Sequence, residues 1–198
     1  MKARDNPFRS ERIDSLRYRA RDFSWDELER RLSATHGRGA LVGPKGRGKT
    51  TLLDEWAIRC ESRGEHVIRL RIREGQRSLD EPQRAELRGS AGASVFLDSA
   101  EQLSAPGWWE LRWRARHARR FVITAHRQGL LPTVRECRTS PNLLADLVRD
   151  LTGELRDCAA LWARHRGDVR EALFELYLSA ADGEVDRAER DHVRQPAG

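Results

Sequence analysis

Runs of apolar residues along the chain predict five β-strands. The first is short, Ala40 to Val42, and the others are HVIRLRIR (66–73), ASVFLD (93–98), RFVITA (120–125) and TVREC after Pro132. Continuous apolarity in 93–98 and 120–125 is typical of central strands buried on both faces. The strict alternation in 66–73 instead predicts an edge strand with one wet face.

Helical spacing of apolar residues separates these strands. After residues 43–51, apolar residues recur on one face of a predicted helix: Leu52, Leu53, Trp56, Ala57 and Cys60. Before the first strand, SWDELERRL (24–32) predicts a short helix with Ser24 as its N-cap. Ser140 and Pro141 resemble an N-cap and the first position of a helix that Gly153 can end. Two more helices are predicted over 154–166 and 169–181. Alternating strands and helices predict an α/β fold with a three-layer parallel sheet, followed by a small C-terminal helical subdomain.

This pattern divides the chain into four predicted segments. They are an N-terminal arm with a short helix (1–36), an α/β core (37–140), a helical subdomain (141–185) and a charged tail (186–198). Residues 1–20 and 186–198 are charged and aperiodic, so we expect them to be an arm and a tail rather than packed elements.

The composition of the chain indicates its expected cellular location. No run of eighteen apolar residues occurs, and the charged start MKARDNPFRSER lacks an apolar signal region, so we expect neither a membrane partner nor secretion. The three cysteines are unclustered, which fits a reducing environment. A cytoplasmic protein is expected.

The net charge of +6 has two interpretations. It favours a nucleic-acid partner, but it also fits a solvated surface biased toward arginine. Lysine occurs only at Lys2, Lys45 and Lys49, so arginine supplies the other 34 of the 37 basic residues (37 − 3). Two of the three lysines therefore lie within one glycine-rich loop, where a compact ammonium fits more easily than a guanidinium.

That loop, GPKGRGKT (43–50), matches G-x-x-x-x-G-K-[ST] at every fixed position. A predicted strand precedes it and a helix follows, which is the context that a phosphate-binding loop needs. We expect Lys49 to reach the β- and γ-phosphates of a nucleotide, and Thr50 to ligate Mg²⁺ with Asp98 at the end of 93–98. The alternative is a glycine-rich connection without chemistry. The predicted cofactor-binding residues are Gly43, Pro44, Lys45, Gly46, Arg47, Gly48, Lys49, Thr50 and Thr51.

With these elements in place, the chain resembles an AAA+ P-loop ATPase of the clamp-loader type, as a small divergent member. The resemblance rests on four stretches spread over about residues 39–178. They are GPKGRGKT (similar to Walker A), VFLDSAEQL (Walker B), FVITAHRQGLLPTVRECR (sensor 1 and the segment after it) and GDVREAL, 167–173 (the sensor 2 helix of the lid). It implies a P-loop NTPase sheet with a helical lid, and ATP and Mg²⁺ as cofactors.

The resemblance also implies residue roles. Thr124 would be the sensor 1 residue near the γ-phosphate or the attacking water, and Arg170 would reach from the lid toward the γ-phosphate. Asn6-Pro7-Phe8 resembles a segment that lies near the adenine. Alternatives remain for each: Thr124 as a strand former, 167–173 as a capping box of Asp168 with Glu171, and 6–8 as a simple turn.

The chain departs from the family at the positions that govern hydrolysis. Ser99 stands where the family places a glutamate after the Walker B aspartate, and Glu101 is the nearest acid, so it becomes the candidate base. The arginine-finger register is displaced, leaving Arg135 or Arg138, which would act only between stacked subunits. We therefore expect ATP binding with slow hydrolysis, coupled to a nucleic-acid or protein partner in a homo-oligomer or hetero-assembly. The alternative is a non-hydrolysing switch.

Two further features have competing interpretations. His126, just after the strand 120–125, resembles the switch histidine of ABC-type ATPases, although no serine-rich signature motif precedes Asp98. The stretch APGWWELRWRARHARR (105–120) predicts a helix that begins near Pro106. Its Trp109 and Trp113 either stack on nucleic-acid bases beside the arginines or, as we favour, pack the helix onto the sheet.

Overall fold

The computed structural model describes residues 6–14, 18 and 23–193. The chain divides into two compact units, Tyr18–Arg138 and a second made of Met1–Arg17 with Thr139–Gly198. This division differs from the one drawn from sequence, which kept 1–36 as one segment. In the described part of the chain, no helix has both the length and the apolar character needed to span a bilayer.

The elements follow each other in the alternating order that the sequence predicts. They are α1 (Ser10–Asp14), α2 (Trp25–Ala34), β1 (Arg38–Val42), α3 (Lys49–Ser62), β2 (Val67–Arg71), α4 (Glu81–Glu86), β3 (Ser94–Asp98), α5 (Ala105–Arg114), β4 (Arg120–Ala125), β5 (Thr133–Glu136), α6 (Pro141–Thr152), α7 (Ala159–Arg164) and α8 (Val169–Val193). Short 3₁₀ turns cover Leu87–Gly89, Ala100–Gln102 and Ala115–His117.

The first unit is built on a five-stranded sheet in the order β2-β3-β4-β1-β5. Every pair of neighbouring strands is parallel. The predicted edge strand is confirmed, since β2 lies at one edge and exposes Arg69 and Arg71 while Ile68 and Leu70 are buried. The two continuous apolar runs form β3 and β4, which lie inside the sheet and are buried along their length.

Helices cover both faces of this sheet. On one face, α2 and α3 pack against the strands through Leu28, Leu32, Leu41, Leu52, Leu53, Trp56, Ala57, Cys60, Phe96, Val122, Val134 and Cys137. On the other face, α5 and the turns that flank α4 and α5 pack on a second cluster that includes Leu79, Leu87, Val95, Leu97, Trp108, Leu111, Phe121 and Ile123. The unit is therefore an α/β arrangement of helix, sheet and helix layers.

The chain reverses its direction across the sheet after β2. From β1 it passes β4 and β3 to reach the edge, with α3 on one face. It then returns through β3 and β4, with α4 and α5 on the other face. Because parallel crossovers are right-handed, opposite directions of travel require helices on opposite faces. The carboxyl ends of β1, β3 and β4 consequently meet at one edge of the sheet, where open α/β sheets bind ligands.

At the opposite edge of the sheet, where the strands begin, a network of ion pairs connects β4 to the layer formed by α2 and α3. Arg120, at the start of β4, donates to both carboxylate oxygens of Glu29 at 2.7 and 2.5 Å and to Glu65 at 3.2 Å. The Trp56 indole donates to the same Glu29 carboxylate at 2.9 Å. Burial alone would raise the pKa of Glu29, but the hydrogen bonds from Arg120 and Trp56, together with the charges of Arg120 and Arg63, outweigh it and lower that pKa.

The second unit is helical. The predicted N-cap is confirmed, because the Ser140 hydroxyl accepts from the amide of Leu143, and Gly153 ends α6 in the left-handed conformation. Its apolar core joins the N-terminal Phe8 to α6, α7 and α8. The buried members are Phe8, Leu144, Val148, Leu151, Cys158, Val169, Ala172 and Leu173.

Several predicted boundaries were wrong. The helix expected over 154–166 is confined to α7, because residues 154–158 form an irregular segment in which Arg156 and Ala159 bond to the local carboxylates of Glu154 and Asp157. The helix expected over 169–181 continues to Val193, so residues 186–193 of the predicted tail are helical, and 194–198 lie outside the described residues. The predicted arm contains α1, and the rest of 1–20 that is described is Asn6–Arg9 and Tyr18.

The favoured interpretation of the tryptophan helix was also wrong in part. Trp108 and Leu111 form the face of α5 that packs on the sheet, together with Ala115 just beyond its end. Each position of a helix is rotated by about 100° from the one before it. Trp109 comes one position after Trp108, and Trp113 comes two positions after Leu111, so neither shares the face that packs on the sheet. Trp109 and Trp113 therefore face outward, with 64% and 61% of their surface exposed. The predicted helix also ends earlier, at Arg114.

We predict that Glu29→Gln destabilises the protein by about 1–3 kcal/mol at pH 7, because a charge-assisted pair with Arg120 is replaced by neutral hydrogen bonds. The pKa of Glu29 is lowered below its usual 4.5, so its stabilisation is complete above that pH and is lost as the pH falls through the folded-state pKa. Urea unfolding of native and variant protein at pH 7 and at progressively lower pH measures both effects, and the difference should shrink in acid.

The matched control is Glu27→Gln on the same helix. Glu27 pairs with Arg31 at the surface, where ion pairs contribute little. Equal destabilisation by both substitutions would contradict the importance of the Arg120 network.

Candidate functional site

The glycine-rich loop joins the end of β1 to the start of α3. Its first residue, Gly43, passes so close to β5 that an added Cβ would lie 2.7 Å from the carbonyl oxygen of Cys137. Its last glycine, Gly48, is the N-cap of α3 with φ 76°, a conformation that glycine adopts without strain. The expected context of strand, loop and helix is confirmed. A Cβ at Gly48 would also contact the ring of Tyr18, an aromatic residue beside the loop that the sequence did not single out.

Lys49 is drawn into this loop. Its side chain is buried, with only 8% of the residue exposed, and Nζ donates to the carbonyl oxygens of Gly43 at 2.7 Å and Pro44 at 2.8 Å. A buried ammonium needs such partners because burial without them is costly. Pro44, Lys45 and Thr51 are exposed, so the loop keeps a cationic and solvent-facing side around the buried Lys49.

The Asp98 carboxylate is the centre of the site. Thr50 donates to its two oxygens at 3.1 and 3.2 Å, although the two residues are 48 positions apart in sequence. Thr124, at the end of β4, donates to Oδ1 at 2.6 Å. The geometry thus brings together the predicted metal-ligating pair, Thr50 and Asp98, with one predicted catalytic residue.

Thr124 lies near the end of β4 and is buried. It is 1% exposed, and its hydroxyl donates to Asp98 and accepts from the Ser99 amide at 2.8 Å. Its one hydroxyl proton is therefore already used by Asp98. In this arrangement Thr124 orients the carboxylate, and its predicted contact with the γ-phosphate or a water stays a prediction.

Arg71 is a site residue that sequence reasoning missed. Its Nε lies 3.2 Å from Oδ2 of Asp98, because the two residues are register partners at the ends of β2 and β3. Arg71 also lines a cavity of about 180 Å³, together with Leu53, Asp54, Arg69, Leu70, Phe96 and Asp98. The alternating pattern of β2 identified Arg71 as outward-facing, but only the strand order shows which residue it faces.

Asp54, one helical turn after Thr50, adds a second carboxylate to this cavity. Burial raises its pKa, the nearby charge of Asp98 raises it further, and Arg71 and Arg69 oppose both effects. The cavity therefore carries two acids and two arginines beside the loop. None of the residues from 43 to 48 lines it, so it is adjacent to the loop rather than part of it.

Glu101 and His126 face each other next to the end of β3. His126 Nε2 lies 3.2 Å from Glu101 Oε1, while Glu101 Oε2 is buried without a hydrogen-bond partner among the described residues. A buried oxygen without a donor is costly, and in native proteins it commonly marks a place where a water or ligand binds. The candidate base therefore has one oxygen close to a histidine and one without a partner among the described residues.

Ser99 separates these groups and has an unusual backbone. Its φ of 65° and ψ of 46° place a non-glycine residue in the left-handed region. The hydrogen bond from its amide to Thr124 holds this turn, which leads into the 3₁₀ turn carrying Glu101.

The remaining candidates lie apart from this cluster or in the other unit. Arg135 stacks its guanidinium over Phe23 at 4.4 Å, and Arg138 is exposed and bonded to Glu136 at 2.8 Å. Arg170 is an exposed residue of α8 in the second unit, so its role stays a prediction. The side chain of Asp168 accepts from the amide of Glu171, as one half of the predicted capping box requires.

Asn6-Pro7-Phe8 forms a turn within the second unit. The Asn6 side chain accepts from the Phe8 amide at 3.0 Å and donates to the carbonyl of Tyr177 at 3.0 Å. This is the self-bonding that asparagine favours in turns. The turn interpretation explains the segment without a nucleotide.

Comparison with protein-family models finds no match to the chain, and comparison with curated proteins finds none either.

We predict that Thr124→Val costs about 1–3 kcal/mol of stability, because it leaves the partly buried Ser99 amide without its acceptor and removes one of the donors to Asp98. Urea unfolding followed by circular dichroism measures this. Thr133→Val on β5 is the matched control, and we expect it to be near neutral, since valine suits a strand. Similar unfolding midpoints for the two variants would contradict an orienting role for Thr124.

Proposed function

We propose that the chain binds ATP with Mg²⁺ at the loop from Gly43 to Thr51. The observation that carries the proposal is the contact of the Thr50 hydroxyl with the Asp98 carboxylate beside a loop whose own carbonyls enclose Lys49. A helix N-terminus, a lysine and a hydroxyl–carboxylate pair are the groups that bind a metal-bound polyphosphate. The proposal adds a P-loop NTPase fold, of AAA+ type with a helical lid, to the α/β arrangement described above.

The residues present fit magnesium. Thr50 and Asp98 offer hard oxygen atoms, which Mg²⁺ prefers, and it usually takes only one or two ligands from protein and the rest from phosphate and water. Among the described residues, no group of three or more histidine, cysteine or acidic side chains is placed to hold a metal ion. That agrees with an ion that arrives with the nucleotide. When bound, Mg²⁺ would supply charge neutralisation at the phosphates.

ATP is preferred over GTP in this proposal because of the sequence. The N-K-x-D motif that recognises guanine does not occur, and the chain contains only two asparagines, Asn6 and Asn142. Asn6 is in addition occupied by Phe8 and Tyr177.

We predict that Lys49→Ala weakens binding of a fluorescent ATP analogue in the presence of Mg²⁺ by about 10- to 100-fold, the usual range for a lost charge-assisted hydrogen bond. The matched control is Lys45→Ala, which removes the same residue type from the exposed side of the same loop and should cost less. Circular dichroism verifies that both variants fold. Unchanged affinity in folded Lys49→Ala would exclude the loop as the phosphate site.

We further propose slow hydrolysis, with Glu101 as the residue that positions water. Support comes from its Oε2 atom, which is buried without a partner among the described residues, and from His126, which lies 3.2 Å from the other oxygen. Lys49 would stabilise charge on the transferring group, Thr50 and Asp98 would hold the metal, and Thr124 would keep Asp98 oriented. Arg170 would add charge from the lid within one subunit, and Arg135 or Arg138 would do so from a neighbouring subunit.

The second candidate is a nucleotide-gated switch that does not hydrolyse ATP. Ser99 favours it, because a serine with a left-handed backbone stands where the family places its general base. In that case ATP binding would control a partner surface without turnover.

Steady-state phosphate release separates the two candidates. If Glu101 positions water, Glu101→Gln should reduce turnover by about 100-fold, within the range for general-base catalysis, while leaving ATP affinity intact. Glu86→Gln, an exposed glutamate on α4, is the control and should retain native activity. No turnover above background in the native protein, with ATP binding intact, would favour the switch.

The same assay tests the role of subunits. If an arginine finger from a neighbouring subunit takes part, specific activity should rise with protein concentration, and Arg138→Ala should remove this rise. Arg156→Ala is a close control, because Arg156 is also exposed and bonded to a glutamate two residues before it. A flat concentration profile would leave Arg170 as the candidate cation.

A further inference from the structure

Two tryptophans and two arginines form an exposed surface on α5 and the turn after it, here called the tryptophan face (Trp109, Arg112, Trp113 and Arg116). The Arg112 guanidinium lies over the Trp109 ring at 5.1 Å, and the Arg116 guanidinium lies over the Trp113 ring at 4.1 Å. Each pair has the spacing W-x-x-R, and the two tryptophans are four residues apart. The same unit is thus repeated about one helical turn further along.

The exposure of these indoles requires an explanation. The other four tryptophans, at 25, 56, 108 and 162, are buried or half-buried, whereas Trp109 and Trp113 keep more than half of their surface exposed. Packing does not account for them, because Trp108 and Leu111 already form the contact of α5 with the sheet. Exposed clusters of large apolar side chains commonly mark binding surfaces.

The charge around these rings is positive. The one acidic side chain of α5, Glu110, is already bonded to Arg84 at 2.8 Å and to Arg114 at 2.9 Å. Neither Arg112 nor Arg116 makes an ion pair within the described part of the chain. His117 and Arg119 follow on the surface. An anionic partner therefore meets arginines whose charge no carboxylate has neutralised.

We propose that the tryptophan face binds single-stranded nucleic acid, with bases stacked on Trp109 and Trp113 and phosphates neutralised by Arg112 and Arg116. Alternating aromatic rings and cations match a strand that alternates bases and phosphates, and stacking tolerates any base because every base has a π-face. An apolar protein surface fits less well, because it would desolvate both guanidinium groups without pairing them. In a duplex the base faces are already stacked on each other and are not available to the rings.

This proposal names the partner class that the proposed function leaves open, and it rests on that function only for coupling to ATP. The groups of the tryptophan face are separate from those of the loop. Binding of nucleic acid can therefore be measured without nucleotide, and the two proposals can fail independently.

The central test is fluorescence anisotropy of a labelled thymidine oligonucleotide of about 20 residues, without ATP. The double variant Trp109→Leu with Trp113→Leu should weaken binding by at least about tenfold, since stacking on two rings is lost. The double variant to phenylalanine keeps aromatic rings at both positions and should retain most of the affinity. A general loss of apolar surface would not distinguish leucine from phenylalanine in this way.

The arginines are tested through salt dependence. The double variant Arg112→Ala with Arg116→Ala should lower the slope of log affinity against log salt by about 1.4, because each phosphate contact on a single strand contributes about 0.7. The charge-matched control is Arg30→Ala with Arg63→Ala, in the α2 and α3 layer on the other face of the sheet. It should leave the slope nearly unchanged.

Three outcomes would overturn the proposal: equal affinity for single strand and duplex, equal losses in the tryptophan variants to leucine and to phenylalanine, or equal slopes in the two arginine variants. Light scattering on the same samples identifies the protein alternative. If the native chain binds no oligonucleotide and the leucine variant loses self-association, the tryptophan face is a protein-docking surface instead. Lys49→Ala is included throughout, and it should bind the oligonucleotide as the native chain does even where ATP binding is lost.

Discussion

The Asp98 carboxylate is the point on which the carboxyl edge of the sheet depends. Groups from three other elements converge on it: the Thr50 hydroxyl from α3, the Thr124 hydroxyl from β4 and the Arg71 guanidinium from β2. Because a buried carboxylate needs several partners to stay charged, each of these contacts fixes the position of the element that supplies it. The glycine-rich loop leads directly into α3, so the contact of Thr50 with Asp98 fixes the end of the loop.

The two edges of the sheet differ in how completely their polar groups are paired. At the amino edge, Arg120 is enclosed by Glu29 and Glu65, and the Trp56 indole completes the pairing, so little charge remains for a ligand. At the carboxyl edge, donors and acceptors are matched less completely, and the Oε2 atom of Glu101 stays without a partner among the described residues. An edge with unsatisfied groups is less stable in isolation, and for the same reason it is better suited to bind a polar ligand.

The sequence predicted the strands well because a parallel sheet imposes a local signal: β3 and β4 must be apolar along their length, and the edge strand β2 must alternate. It could not reveal the contact of Arg71 with Asp98, which depends on strand order and register rather than on any local pattern. The prediction that Trp109 and Trp113 pack on the sheet was wrong for a related reason. Three tryptophans in six residues cannot all face a sheet, and only the three-dimensional position of α5 decides that Trp108 does so. The lengths of α7 and α8 were misjudged for different reasons. The irregular segment 154–158 depends on local side-chain hydrogen bonds that apolar spacing does not show, and the charged residues after 181 were taken as a tail although charged residues are also good helix formers.

Ser99 shows how a backbone conformation narrows the evolutionary choices at a single position. Its left-handed geometry disfavours most side chains by roughly 1–2 kcal/mol, and glycine, asparagine and aspartate are the residues that adopt it most readily. A glutamate at position 99 would have a backbone that turns away from the extended path of β3. Its carboxylate would therefore point in a different direction from that of a residue with an extended backbone. An extended backbone at position 99 would thus require a second change that releases its amide from Thr124. Position 99 is therefore constrained by its backbone conformation as well as by its side chain, and a library that varies this position alone explores side chains on a fixed turn.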